Sequence, residues 1–356
     1  MKASISVAGG SELRAAAAGG AKGRTLRARL AWTLAAYGAL ALLSCLLAPL
    51  VGSTPISLAR VFDRSIPFAD NVDAQIFFVA RIPRVLAAAV VGAALASAGV
   101  VLQALLRNPL ASTDTLGVSA GAALGAILAI AFDITITAGG LSAVPLTSLA
   151  GAFAVAAVIY LLATRRGRPM STLVLLLVGV TMNTFLSALI TSAQYIADFT
   201  QTVRTIRWLM GDLDIGSFSP LVTVLPLLAA AFAIFAVLPS SLNVLSVGTD
   251  AAGARGVDVA RIQRLAFVGA SLATGAAVAL AGPIGFVGIV VPHFVRLMVG
   301  VDHRLVMPAS ALFGMSFLVV CDLIARTALS PIEVPVGIVT ALIGGPFFLW
   351  LLIRRS

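Results

Sequence analysis

Residues 77–106 read FFVARIPRVLAAAVVGAALASAGVVLQALL, and this stretch decides the class of fold. From Pro83 onward its apolar and small residues are numerous enough to cross a hydrocarbon core of about 30 Å as a helix. The run opens with Arg81 and Arg84, which flank Pro83. Because arginine is costly near hydrocarbon, both side chains need polar surroundings at the start of the helix.

The composition extends this conclusion to the whole chain. Apolar residues make up 60% of the 356 residues and charged residues only 11%, and the mean hydropathy is +1.07. A soluble domain usually carries about twice that charged fraction. The sequence therefore predicts an all-α polytopic membrane protein.

Hydropathy, together with Gly, Pro and charged residues between the apolar runs, predicts about ten transmembrane helices. The eighth is short, so nine helices and a re-entrant segment are the alternative. Residues 1–29 are predicted to be a disordered cytoplasmic tail, and residues 30–356 the transmembrane domain. The predicted spans lie near residues 30–51, 83–106, 115–132, 141–164, 172–195, 219–239, 263–281, 287–300, 305–325 and 337–353.

The distribution of the 24 Lys and Arg residues predicts the orientation. With the N-terminus inside, most of them lie in cytoplasmic segments, among them the cluster at 165–168, as the positive-inside rule requires. Both termini are then cytoplasmic. The basic residues left outside are Arg60, Arg64, Arg81, Arg84, Arg204, Arg207 and Arg326.

An internal repeat emerges when the chain is slid by 183 residues. GAALASAG (92–99) then lies over GAAVALAG (275–282). An odd number of crossings separates the two segments, so the halves would be inverted repeats, an arrangement common in transporters. Alanine and glycine are frequent here, so chance similarity is the alternative, and small residues also serve close helix packing.

The sequence offers no catalytic or metal site. Lysine occurs only at positions 2 and 22, so a P-loop lysine is missing from the transmembrane region. His293 and His303 lack metal-ligand spacing, and Cys45 and Cys321 lie in apolar runs, typical of buried small residues. We expect no enzyme activity, metal or cofactor in this chain.

The acidic residues bear on energy coupling. Ion-coupled transporters usually carry acids or histidines in mid-membrane, whereas those here fall at predicted span ends or in loops. Asp322 comes closest to the membrane interior, and Arg326, one helical turn on, predicts a salt bridge at a helix end. An ion-coupled transporter therefore stays only as an alternative, and energy is expected to come from a partner.

Several motifs carry a family resemblance that covers about residues 30–353. RIPR (81–84), LNVLSVGTDAAGARGV (242–257), GPIGFVGIVVPHFVRLMVGVDHR (282–304), DLIAR (322–326) and EVPVGIVTALIGGPFFLWLL (333–352) occur in order. Together they closely resemble the iron-chelate, haem and vitamin B12 permeases of bacterial type II ABC importers. The resemblance implies a homodimer in a bacterial inner membrane, two ATP-binding subunits that carry ATP and Mg²⁺, and a periplasmic substrate-binding protein.

By this resemblance, Arg81, Arg84 and Arg326 meet acidic residues of the binding protein. Charge-assisted pairs between guanidinium and carboxylate suit that contact, and the orientation predicted above places all three outside, on the outer surface. The alternative for Arg81 and Arg84 is snorkelling to the interface beside a proline that starts the helix.

The resemblance also assigns residues on the cytoplasmic side. Segment 242–257 resembles the coupling helices that contact the ATPase, although Thr249 replaces the usual acidic residue and a plain loop is the alternative. Ser171 and Thr172 match a cytoplasmic gate, with N-capping by Ser171 as the alternative. The coupling residues are Leu242, Asn243, Gly248, Thr249, Asp250, Ala252 and Gly256.

The fifth and tenth spans line the channel in the family that this sequence resembles. Asn183, Thr184 and Ser187 on the fifth span, and Thr340 and Gly344 on the tenth, are the pathway candidates. Polar groups inside a span also simply bond to a neighbouring helix. The expected cargo is an iron chelate, either haem or a ferric siderophore, and vitamin B12 is the alternative.

Overall fold

The computed structural model describes the backbone of residues 6–138, 142–164 and 170–355. Side chains are described for residues 25–138, 142–164, 170–350 and 353. The basic cluster Arg165, Arg166 and Arg168 lies outside these ranges.

Ten helices in the described ranges correspond to the ten predicted spans, within a few residues at most ends. Seven are long and apolar enough to cross a membrane, and the remaining three, α5, α13 and α15, are shorter apolar helices. The ten are α1 (Ser6–Leu47), α4 (Ile82–Leu106), α5 (Val118–Ala131), α6 (Ala143–Ala163), α7 (Thr172–Ile196), α9 (Ser219–Val237), α12 (Val259–Ala281), α13 (Val287–Val299), α14 (His303–Thr327) and α15 (Val336–Arg355).

Helix α1 begins at Ser6, within the segment 1–29 for which the sequence predicts a disordered tail. The division into a tail and a transmembrane domain stays a prediction.

Short helices connect the spans. Hydropathy alone does not find them, because they are brief or amphipathic. They are α2 (Leu58–Val61), α3 (Val72–Gln75), α8 (Phe199–Leu209), α10 (Pro239–Leu245) and α11 (Thr249–Ala254). A π-helical segment, Ile76–Arg81, joins α3 to α4, and 3₁₀ turns lie at Ala48–Leu50 and Thr113–Leu116.

The short eighth span, α13, starts well inside the bundle. A Cβ built on Gly99 of α4 would lie 2.0 Å from the carbonyl oxygen of Gly288, in the first turn of α13. The 13 residues of α13 rise only about 20 Å, less than the hydrocarbon core. Residues 282–286 therefore cover the rest of the distance as irregular backbone, which is tolerated in a membrane where protein surrounds it.

Helices α4 and α12 form the centre of the bundle. Most of their residues are buried, and the two helices pack against each other. They carry the two segments of the predicted repeat and run in opposite directions between the two ends of the bundle, as an inverted repeat requires. Small residues allow this close packing.

Two ends of the bundle can be named by their residues. The arginine end holds the start of α4 and the end of α14, with Arg81, Arg84 and Arg326. The coupling end holds α10, α11 and the starts of α7 and α12. The structure contains no membrane, so the assignment of the arginine end to the periplasm stays a prediction.

Candidate functional site

The junction between the π-helical segment and α4 positions the first two arginines. The N–H of Ile82 donates to the carbonyl of Phe77, five residues back, and Pro83, which has no N–H, fits the first turn of α4. Both side chains are buried, with Arg81 5% and Arg84 9% exposed. Their position on the outer side of the membrane stays a prediction, but both side chains are enclosed by the chain, and their charge requires partners there.

Those partners include a carboxylate that is itself buried. Asp322 on α14 is 1% exposed. Its Oδ1 accepts a hydrogen bond of 2.8 Å from Nε of Arg84, and its Oδ2 lies 3.2 Å from Nε of Arg326. Asp322 and Arg326 thus form the predicted salt bridge, and Arg84 joins it from α4. Glu333, in the loop before α15, accepts a further bond of 2.7 Å from Nη1 of Arg84.

The same arginines hold the end of α1 in place. Nη2 of Arg326 donates to the carbonyl of Ala48 at 2.9 Å, and Nη1 of Arg81 donates to that of Pro49 at 2.9 Å. Arg81 also donates to the carbonyl of Thr54. The last carbonyls of a helix have no helical donor, so cations stabilise this position.

We call Arg81, Arg84, Arg326, Asp322 and Glu333 the arginine cluster. Arg84 and Arg326 share the carboxylate of Asp322, and Arg84 also binds Glu333. The guanidinium group of Arg81 bonds main-chain carbonyls. The three arginines, Glu333 and the exposed Asp214 line a cavity of about 190 Å³. The Glu333 side chain is 44% exposed and is the accessible acid of the cluster. An external carboxylate could replace Glu333 at Arg84 while Asp322 keeps the arginine in position. The docking role of the three arginines stays a prediction.

The predicted coupling segment folds as two short helices separated by glycine. Gly248 precedes α11 with φ of 145°, and Gly256 follows it with φ of 77°, values that favour glycine. Leu242 and Ala252 are buried and anchor α10 and α11 to the bundle. Thr249 and Asp250 therefore lie on a compact element packed against the transmembrane helices.

Asn243 connects α10 to the start of α14. Its amide donates to Asp302 Oδ1 at 2.7 Å, and its own oxygen accepts from the N–H of His303 at 2.8 Å. Asp302 also accepts hydrogen bonds from the side chain and the backbone N–H of Arg304. The hydrogen bonds of Arg304, then that of Asn243, hold the pKa of Asp302 well below its usual range. Movement of α10 is thus linked to α14.

The structure brings the predicted gate and the predicted coupling residues together. Ser171, Thr172, Thr249 and Asp250 line one open cavity of about 1130 Å³ at the coupling end. Ser171 also caps α7, since its hydroxyl accepts from the N–H of Val174 at 3.4 Å. The capping interpretation therefore holds, and the gate role stays a prediction.

The pathway candidates fall into two groups. Asn183, Thr184 and Ser187 lie on an exposed face of α7. The hydroxyls of Thr184 and Ser187 donate to carbonyls of α7 itself, at 3.1 and 2.8 Å. This face thus presents polar side chains whose hydrogen bonds stay within the helix.

The two candidates on α15 are packed inside the chain. Thr340 is buried and donates to the carbonyl of Gly337 at 3.0 Å. Gly344 is covered by Phe286, whose Cβ would lie 2.5 Å from a Cβ built on that glycine. In the single chain both residues are buried, and a pathway role for Gly344 needs a movement of Phe286.

Sequence reasoning missed the roles of Asp322 and Glu333 as partners of Arg84. The available signal was charge balance, because arginines inside an apolar bundle need carboxylates. Gln263 was also missed: its side chain bonds both the N–H and the carbonyl of Met170, at 2.7 and 3.1 Å, and so fixes the residue before the predicted gate to α12.

Comparison with known proteins agrees with this architecture. The model of the FecCD transport family matches residues 40–354. A cobalamin import system permease protein of Halobacterium salinarum is 44% identical over 276 residues, which cover 78% of this chain and 73% of the relative. A hemin transport system permease protein of Yersinia pestis is 38% identical over 285 residues, covering 77% and 82%.

A solved structure is also similar. It is described as an inward-facing conformation of an ABC transporter assigned to the metal-chelate type. The TM-score is 0.78 at 32% sequence identity, and the match covers 90% of this chain and 98% of the solved one.

Proposed function

Because the chain belongs to the FecCD transport family, whose members here are permeases of type II ABC importers, we propose that it moves an iron chelate into the cytoplasm. The cargo is haem or a ferric siderophore. The observation that carries this proposal is the family match over residues 40–354. The hemin permease relative supports iron as the metal, and the metal-chelate assignment of the similar structure supports a chelate as the cargo.

A partner ATPase supplies the energy in this proposal, and ATP and Mg²⁺ bind on that partner. Two features of the coupling end support it. Helices α10 and α11 form a compact element there, and Thr249 and Asp250 share a cavity with Ser171 and Thr172. A push on α11 would therefore act directly beside the predicted gate, and Asn243 would pass a shift of α10 to α14.

A second copy of the chain completes the pathway. The exposed polar face of α7, with Asn183, Thr184 and Ser187, supports a polar path along an axis between two subunits. The hydroxyls of Thr184 and Ser187 are satisfied within the helix, so passage of a cargo would not leave these two groups without partners.

A periplasmic binding protein docks at the arginine cluster. Because Glu333 is exposed and bound to Arg84, an acidic group of the binding protein would reach the cluster by taking its place. Exchange of one carboxylate for another keeps the buried arginines paired throughout.

Cobalamin is the second candidate cargo. The observation in its favour is the relative from Halobacterium salinarum, which is named as a cobalamin permease and shares 44% identity. An iron chelate and cobalamin are both large metal complexes, so one architecture suits either.

An uptake assay with three cargoes tests the proposed function. The permease, its ATPase and its binding protein are reconstituted in vesicles that contain ATP. Haem, a ferric siderophore and cobalamin are offered separately at equal concentration. We expect ATP-dependent accumulation of haem or of the siderophore. Accumulation of cobalamin alone would assign the second candidate and contradict iron-chelate import.

A further inference from the structure

A groove runs along the side of the bundle near the coupling end, between α1, α9 and α14. Its volume is about 690 Å³. Helix α1 contributes Leu26, Leu30 and Leu34, which recur every four residues and so share one face. Phe232 of α9 and Ala311 of α14 form the facing walls. The interior is therefore apolar and as long as at least two turns of a helix.

The mouth of the groove is cationic. Arg27 and Arg304 lie at the same end of the groove. Arg304 already donates to both carboxylate oxygens of Asp302, at 3.0 Å from Nε to Oδ1 and 2.7 Å from Nη2 to Oδ2. Arg27 is exposed, and within the described part of the chain no carboxylate is paired with it. Arg304 is balanced by Asp302, so the charge of Arg27 leaves the mouth with excess positive charge.

An apolar interior with a cationic mouth is complementary to an anionic amphiphile. A small soluble anion would leave the apolar walls unused, and a neutral hydrocarbon would leave the arginine charge without a partner. Basic residues at the cytoplasmic surface attract anionic lipids by about 1 kcal/mol each. Phospholipid is also the solvent that surrounds these helices.

The position of the groove connects it with the predicted coupling segment. Pro239 and Ser240, at the start of α10, form part of the wall beside Arg304. Arg304 follows Asp302, which binds Asn243 of α10. A headgroup at this mouth would therefore contact the element proposed to respond to the ATPase.

We propose that this groove holds one acyl chain of an anionic phospholipid, with its phosphate at Arg27 and Arg304. The site is independent of the cargo and of the binding protein. Its occupant fills the space between α1 and α9.

Native mass spectrometry of the full-length permease tests the proposal. The protein is delipidated in detergent and titrated with palmitoyl-oleoyl phosphatidylglycerol or with the matching phosphatidylcholine. We expect the first phosphatidylglycerol to bind more tightly than phosphatidylcholine. Arg27→Gln should weaken phosphatidylglycerol binding about fivefold and leave phosphatidylcholine unchanged. Ala311→Phe, which fills the groove, should weaken the binding of both.

Two matched variants serve as controls. Arg60→Gln removes an exposed arginine at the other end, and Ala230→Phe enlarges an exposed alanine of α9; both should bind as the wild type does. Equal affinity for the two lipids would overturn the proposal. An equal loss of lipid affinity in a groove variant and in its control would overturn it as well. If lipid is retained only after residues 1–24 are removed, the chain's own N-terminus occupies the groove in the full-length protein. That result would also overturn the proposal.

Discussion

At the scale of single residues, the arginine cluster explains why two arginines stand at the start of an apolar helix. Asp322 lies between Arg84 and Arg326, and carbonyls of the 3₁₀ turn that follows α1 accept hydrogen bonds from Arg81 and Arg326. Removal of one partner from such a buried set typically costs about 3–5 kcal/mol. The cluster therefore fixes α1, α4 and α14 to one another.

The sequence could predict only the local half of this cluster. Asp322 and Arg326 are four residues apart on one helix, which the spacing alone indicates. Arg84 is 238 positions from Asp322, and no local pattern reports a contact over that distance. The burial of Arg84 depends on this long-range pairing, so the sequence could not predict it.

The exchange of carboxylates at Arg84 can be tested at Glu333. Glu333→Gln keeps the shape of the side chain but removes the charge that competes with an acidic group of the binding protein. Because Asp322 continues to hold Arg84, the fold should persist, and the affinity for the binding protein should rise severalfold, most at low salt. Surface plasmon resonance with the permease in nanodiscs measures this affinity.

Asp70→Asn is the matched control for this experiment. Asp70 is an exposed acid at the same end, and no ion pair joins it to an arginine of the cluster. An unchanged or weaker affinity in Glu333→Gln would contradict exchange at Arg84. An equal rise in affinity in both variants would mean that the change in net charge alone causes it. Charge reversal at Arg84 is a poorer test, because it would place two acids beside Asp322.

At the scale of helices, small residues set the distances within the bundle. A Cβ built on Gly92 of α4 would lie 2.1 Å from the carbonyl oxygen of Gly314 on α14. The repeat segments 92–99 and 275–282 indicated close packing from the sequence alone. They could not indicate which helices meet, because many different helices can pack closely against a face of small residues.

Gly92→Ala tests this contact. The added methyl group must separate α4 from α14, so we expect the free energy of unfolding to fall by about 1–3 kcal/mol. Thermal unfolding in detergent micelles, followed by loss of the monodisperse peak in size exclusion, measures the change. Gly38→Ala on α1 is the control, because a Cβ there meets nothing within 4 Å. If Gly92→Ala unfolds at the same midpoint temperature as the wild type, the close approach of α4 to α14 is contradicted.

At the scale of the whole molecule, hydropathy and the Gly, Pro and charged residues between apolar runs predicted the positions of the transmembrane helices well. Apolar runs are contiguous in sequence, so each span can be recognised without knowledge of its neighbours. The sites were predicted less evenly. Ser171 and Thr172 line one cavity with Thr249 and Asp250, and the roles assigned to them by resemblance stay predictions. The burial of Thr340 and Gly344 depends on how α15 packs against residues 282–286, which no single segment encodes.

The central claim is that an ATPase acting at the coupling end drives uptake through this chain. The most direct measurement is cargo uptake into vesicles that hold the permease, its ATPase and its binding protein. A hydrolysis-deficient ATPase serves as control. We predict uptake that requires ATP hydrolysis and persists when an ionophore abolishes ion gradients. Uptake that proceeds without hydrolysis and stops with the ionophore would contradict the account and favour an ion-coupled transporter.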